Sequence, residues 1–151
     1  MIQTISTTFY LPIIYTGQDI ASQQFMIIFN LGGTKNIIGV DAHSHAYLPS
    51  SGTTINDGVW HSVLVTYDGV TLRIYVDGRL DNAATDWNNG QSIRTTLNTQ
   101  GNYIYLGSSW VGHLWSGSLK NVNFYDYVLI PEAPSSIPTT GSTLLFSSGR
   151  V

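Results

Sequence analysis

Apolar and polar positions alternate most regularly between residues 57 and 78, DGVWHSVLVTYDGVTLRIYVDG. Val59, His61, Val63, Val65 and Tyr67 share one face of a period-two pattern, and Trp60, Ser62, Leu64 and Thr66 share the other, which is the signature of a strand. Leu72, Ile74 and Val76 alternate with Thr71, Arg73 and Tyr75 in the same way. Asp68-Gly69 and Asp77-Gly78 supply the positive-φ residues that tight turns between twisted strands need. The stretch therefore predicts a β-hairpin over residues 60–67 and 72–76.

The remaining chain is also strand-like. Residues 7–15 are aromatic and β-branched but contain Pro12, which predicts a bulged or edge strand, peripheral in the sheet. Residues 25–31 (FMIIFNL) form a continuous apolar run that ends at Gly32-Gly33 and predicts a buried strand. Residues 36–40 and 43–48 predict one bent strand or two short ones. A long polar stretch, 81–99, contains Trp87 and Asn89-Gly90 and is either functional or carries a short strand. Residues 103–107 predict a strand, 108–116 a loop holding Trp110, His113 and Trp115, and 117–129 a long strand. Residues 131–141 shift to Pro, Ser and Thr, an extended linker composition, and residues 142–147 return to a strand-like pattern. Neither helical periodicity nor an internal repeat is visible.

Several blocks resemble the laminin-G-like branch of the concanavalin A-like lectin/glucanase superfamily. They are the Trp60-His61 start, the Val-x-Val-x-Tyr-Asp-Gly run ending at Gly69, the Ile-Tyr-Val-Asp-Gly end at Gly78, and the Ile28-Phe29-Asn30-Leu31-Gly32-Gly33 strand. Tyr105-Leu106-Gly107 and the segment from Trp115 through Leu119 and Val122 to Phe124-Tyr125 follow in the family's order, as does Pro131-Glu132. The resemblance covers about residues 8–132 and implies an all-β fold, a two-sheet antiparallel jelly-roll sandwich of concanavalin A-like type. It divides the chain into a sandwich over 1–130, a linker over 131–141 and a C-terminal strand over 142–151. The expected core contains Val63, Val65, Leu72, Ile74, Val76, Ile104, Leu106, Val122 and Phe124, and Trp60 and Trp115 match family core positions.

Composition narrows the function. The 151 residues suit one domain. Charged residues are 10% and the net charge is −3, with Lys35, Arg73, Arg79, Arg94, Lys120 and Arg150 scattered, so a nucleic-acid-binding face is not expected. The absence of cysteine excludes disulfides and thiol chemistry without fixing the compartment. Residues 1–4 carry no signal-peptide pattern and no segment approaches a membrane span, so no membrane insertion is expected. An extracellular, cell-surface or virion location is expected, reached by another export route, from a longer precursor, or by assembly into a particle.

Retaining glycosidases pair two carboxylates, which on this fold typically sit in Glu-x-Asp-x-x-Glu, and the only glutamate here is Glu132 beside Pro131. No catalytic residues are assigned, and no enzyme is expected. The acid-amide cluster Asp81, Asp86 and Asn88, with Asn82 and Asn89, has the oxygen ligands calcium takes, or is a solvated turn-rich loop. His43 and His45 would share one strand face but lack a third zinc ligand. Loop aromatics are the more informative feature, because sugars stack on them while amides and carboxylates bind hydroxyls. The glycan-binding candidates are Trp87 with Asp86 and Asn88, and Trp110 with His113; the same tryptophans could instead cover an open sandwich end or a subunit interface.

The expected function is a non-catalytic extracellular or particle-surface module that binds glycan or a cell-surface protein. The alternative is a structural subunit of a filament, fibre or capsid, a homo-oligomer assembled by strand exchange. Residues 142–151 are expected to supply a strand that completes either their own sandwich or a neighbour's, with Leu144 and Phe146 buried.

Overall fold

The computed structural model describes residues 1–7, 11–16, 25–30, 36–42, 47–49, 52–85, 103–108 and 113–131. Ten strands run through them: β1 (Ile2–Gln3), β2 (Leu11–Thr16), β3 (Phe25–Phe29), β4 (Ile38–Ala42), β5 (Tyr47–Pro49), β6 (Val63–Tyr67), β7 (Leu72–Val76), β8 (Arg79–Ala84), β9 (Ile104–Leu106) and β10 (Ser118–Leu119). One sheet has the order β5-β4-β3-β2-β9. The other is built from β6-β7-β8 and the β1-β10 pair, which an Ile2–His61 bridge joins to β6. The second layer thus reads β10-β1-β6-β7-β8, and every ladder in both layers is antiparallel.

The hairpin expected from the alternation is the centre of this second layer. Val63 pairs with Val76, Val65 with Ile74 and Tyr67 with Leu72. Asp77 and Gly78 both take positive φ, 50° and 76°, as the two-residue turn into β8 requires. Residues 79–84, around the start of the polar stretch, are a third strand of the same meander, so Asp81 lies in a sheet. A register shift between Ile74 and Tyr75 leaves Asp81 as the extra residue of a bulge.

Between the layers lies one apolar core. Leu11, Ile13, Ile27, Phe29, Ile38 and Val40 come from the first sheet, Ile2, Leu72, Ile74 and Val76 from the second, and Ile55 from the connection before β6; Val63 and Val65 pack partly buried against it. A second cluster of Tyr15, Met26 and Ile28, with Tyr105 against it, occupies the other face of the first sheet. β3 is thus apolar on both faces, which is why its sequence is a continuous run rather than an alternation. Fully burying each such side chain contributes roughly 1.5–3 kcal/mol relative to exposure.

Four expectations change. β2 is bulged at Pro12/Ile14 as expected, but it is interior, between β3 and β9. The bulge accommodates a residue that has no N–H to donate, and Pro12 is fully buried. Ile104, Leu106 and Phe124 are not core: they are 56%, 49% and 59% exposed, and Val122 is half-buried. Tyr105 points with Tyr15 into the second cluster, their rings 5.8 Å apart, so alternation puts Ile104 and Leu106 on the opposite face of a strand at the sheet edge. The long strand expected over 117–129 is paired only at Ser118–Leu119. Asn121 takes φ 51°, and no described residue continues a ladder beyond it. Trp60 also lies outside both core clusters; it is half-buried, with the Lys120 ammonium 4.0 Å from its ring centroid. Trp115 does pack on the core, edge-on to Phe29 at 5.9 Å.

Candidate binding site

The loop that carries Trp110 and His113 leaves β9 at Gly107 and returns at Trp115. Gly107 takes φ 69° and donates its N–H to the Ile13 carbonyl at 2.9 Å. Its own carbonyl accepts the Trp115 N–H at 2.8 Å, and Ser108 bridges Leu114 in antiparallel fashion. The loop is therefore pinned at its root to the interior strand β2. His113 is exposed, whereas Trp110 lies outside the described residues.

The segment that carries Asp86, Trp87 and Asn88 follows β8. Its root is Ala84, paired with Leu72, beside an open depression lined by Thr71, Ala83, Ala84 and Thr85. Asp86, Trp87 and Asn88 lie outside the described residues, as do His43 and His45. Asp81, the third calcium candidate, accepts the Thr53 hydroxyl on Oδ1 at 2.7 Å. Among the described residues no group of three or more His, Asp or Glu side chains converges where it could hold a metal ion.

These two roots are not neighbours. Ala84 and Leu72 sit at the end of the meander that holds the Asp68–Thr71 turn. Trp115 leads into Ser116, whose carbonyl accepts the Thr4 hydroxyl at 2.5 Å, and the Thr4 carbonyl accepts the Gly58 N–H at 3.0 Å. That chain of hydrogen bonds reaches the opposite end, where β6 begins.

At this end lies a charged cluster around His61, which the sequence offers only as part of the Trp60-His61 block. His61, with 11% of its side chain exposed, places Nδ1 2.7 Å from Asp77 Oδ2 and Nε2 3.0 Å from Asp57 Oδ1. Asp77 Oδ1 accepts the Ser62 N–H at 2.9 Å, and Asp57 Oδ1 accepts the Val59 N–H at 2.8 Å. Partial burial pulls the His61 pKa down, but hydrogen bonds to Asp77 and Asp57 and their charges outweigh it, and the pKa is raised above 6.5. The Asp57 carboxyl is held below its ordinary value, first by the Val59 N–H and then by His61. Two carboxylates on two ring nitrogens favour the imidazolium, since a neutral ring carries only one N–H. With both nitrogens so engaged, the ring clamps the entry of β6 to the β7–β8 turn and offers no base to a substrate. The register shows how the cluster forms: Val63 opposite Val76 puts Ser62 and His61 beside Asp77.

A second turn uses similar chemistry. Asp68 Oδ1 accepts the N–H groups of Val70 and Thr71 at 2.9 and 2.7 Å, and Oδ2 meets Arg73 Nη1 at 2.7 Å. The Thr71 N–H, then Arg73 and the Val70 N–H, hold its pKa at about 2.

Two antiparallel layers around one core define a concanavalin A-like sandwich. Residues 4–133 match the family described as the concanavalin A-like lectin/glucanases superfamily, and the chain belongs to it. Among curated proteins it is similar to the sushi, von Willebrand factor type A, EGF and pentraxin domain-containing protein 1 of Mus musculus, 27% identical over 131 residues, 80% of this chain. The Rattus norvegicus protein of the same name is 28% identical over 97 residues, 58% of this chain. The matched region spans about 3% of the length of either relative.

Proposed function

We propose that this domain is a non-catalytic binding module of a secreted, cell-surface or particle-surface protein, and that it recognises glycan or protein through the loop of Trp110 and His113. The observation that carries the reading is the closure of that loop at its root by the Gly107–Trp115 hydrogen bond and the Ser108–Leu114 bridge. A loop whose root is fixed on an interior strand starts from a rigid scaffold, which is where folds commonly carry recognition. The similarity to proteins assembled, by their names, from sushi, EGF and pentraxin domains supports an adhesive rather than a catalytic role. The single glutamate supports it too, since the two-carboxylate glycosidase motif of this fold needs more.

Because the two roots lie at opposite ends, the reading keeps Trp87 with Asp86 and Asn88 as a separate secondary candidate, on the segment that follows the depression lined by Thr71, Ala83, Ala84 and Thr85. Calcium on Asp81, Asp86 and Asn88 belongs to this secondary site, where an ion would compete with the Thr53 hydroxyl for Asp81 Oδ1. Glycan-array and cell-surface binding by Trp110→Ala and Trp87→Ala variants tests the assignment. Trp110→Ala is expected to abolish binding with the circular dichroism spectrum and Tm unaltered. Retained binding in Trp110→Ala together with loss in Trp87→Ala would move the site to the other end.

A further inference from the structure

The turn that leads into β6 is held from two sides, and one of the holds depends on a proton. On the side-chain side, His61 Nε2 lies 3.0 Å from Asp57 Oδ1, the oxygen that also accepts the Val59 N–H, and Nδ1 lies 2.7 Å from Asp77 Oδ2. On the backbone side, Gly58 donates its N–H to the Thr4 carbonyl at 3.0 Å and accepts the Gln3 side-chain amide at 2.6 Å. Thr4 is 3% exposed and carries the contact onward, its hydroxyl donating to the Ser116 carbonyl and accepting the Ser6 N–H at 2.9 Å. Ser116 follows Trp115, whose N–H closes the root of the Trp110 and His113 loop on Gly107. A Cβ at Gly117 would lie against the Gln3 carbonyl oxygen, 3.0 Å from Trp115 Nε1 and 3.1 Å from Thr4 Cβ, so residues 3–4 and the Trp115 indole crowd the same glycine.

The charged and neutral forms of the ring treat the two carboxylates differently. The imidazolium has an N–H for each, whereas the neutral ring has one N–H and turns a lone pair towards the other carboxylate. Asp77 is the better placed to keep its bond, because the contact is the shorter and uses Oδ2 while Oδ1 accepts the Ser62 N–H. Asp57 offers a single oxygen to both the ring and Val59. Deprotonation therefore sets Asp57 Oδ1 against a lone pair, and the segment that can yield is its own turn, where Asp57 and Val59 are exposed and Gly58 takes φ 81°. Among the described residues the charges that act on the ring are Asp77 and Asp57. Of the other charges on adjoining elements, Lys120 and the Met1 amine act on each other at the β1–β10 pair, and Arg79, at the start of β8, is exposed.

We propose that the turn of residues 57–59 is a proton-controlled latch on the root of the Trp110 and His113 loop, closed while His61 is cationic and released when the ring is neutral. The part that the loop plays in binding rests on the functional reading above, whereas the latch itself does not. The element with two states is the ring, and the contacts from Asp57 through Gly58 and Thr4 to Ser116 carry its state to the loop. Partial burial lowers the His61 pKa, but the bonds and charges of Asp77 and Asp57 raise it above 6.5. The latch is thus fully closed below the ordinary histidine value and opens as pH rises through the folded one. A ligand held by the loop is bound more tightly on the acidic side of that titration than on the alkaline side.

Amide exchange, corrected for the intrinsic effect of pH, tests this when Gly58, Ser62 and Trp115 are followed from pH ~6 to pH ~9 alongside an NMR titration of the His61 ring. Protection of Gly58 and Trp115 is expected to fall about two- to fivefold as the ring deprotonates, the range a screened ion pair allows, while that of Ser62 holds. His61→Gln should remove the step. Asp57→Asn should remove it too with the ring still titrating, because an amide can accept from the cation and donate to the neutral ring. Should His61→Gln fail to fold, Asp57→Asn, at an exposed carboxylate, supplies the same reading. No step at Gly58, a step at Gly58 that leaves Trp115 unmoved, or a step that persists in the variants overturns the proposal. A step at both amides, with glycan-array binding unaltered by Trp110→Ala, keeps the latch and overturns only the binding role of the loop.

Discussion

Replacing His61 with Gln removes the one cation held between Asp57 and Asp77 while leaving a polar side chain in its place. The two ion pairs that disappear measure 2.7 and 3.0 Å, but their carboxylates are 50% and 54% exposed. Solvent screening therefore keeps both pairs weak, and the shorter one, to Asp77, is limited to about 0.2–1 kcal/mol. For a domain of this size that corresponds to a Tm lower by at most roughly 4 °C. The sign with pH is fixed by the direction of the shift. The folded pKa of His61 is raised above 6.5, so its contribution is full below the unfolded value and is lost as pH rises through the folded one. The difference in Tm between the parent and His61→Gln should thus be largest near pH ~6, shrink towards pH ~9 and be smaller in high salt. Thermal melts across that range, with an NMR titration of the His61 ring, measure both quantities. A Tm difference that does not change with pH, or a titration midpoint at or below 6.5, would refute the clamp.

Gly117→Ala would set a Cβ against the Gln3 backbone oxygen and close to the Trp115 indole nitrogen. Prising β1 from β10 in this way should destabilise by about 1–3 kcal/mol in urea melts, and an unchanged midpoint would show that the ladder adjusts freely. Arg73→Ala should raise the Asp68 pKa from about 2 towards its ordinary 3.8 while the Thr71 and Val70 N–H groups keep it depressed, as carboxyl NMR titration would show. The stability that Asp68 contributes is present above the unfolded pKa and is lost as pH falls through the folded one, so the variant should lose it at higher pH than the parent. Calcium on Asp81, Asp86 and Asn88 predicts a lower Tm in excess chelator, because an ion bound only to the folded state stabilises it; an identical melt removes the ion from the secondary site.

The β6–β7 hairpin was legible because each of its signals is local: a period of two, and Asp-Gly turn residues, of which Gly69, Asp77 and Gly78 take positive φ. The family blocks likewise pointed to the sandwich now seen as two antiparallel layers. The candidate site was legible only as composition. Trp110 and His113 stand out as loop residues, but their anchorage rests on Gly107, Ser108, Leu114 and Ile13, which meet across strands. The clamp at His61 was missed for the same reason, although the Val63–Val76 register that the hairpin implies brings His61 beside Asp77. Burial was the least legible property. Ile104 and Leu106 have the pattern of core residues, as do Ile27 and Phe29, yet they lie at a sheet edge and are exposed. Phe124 follows a strand that is paired, among the described residues, only at Ser118–Leu119. Alternation along a strand is set by its own backbone, whereas an apolar side chain becomes core only through what packs across from it, and those neighbours lie as far apart in sequence as Ile2 and Leu119.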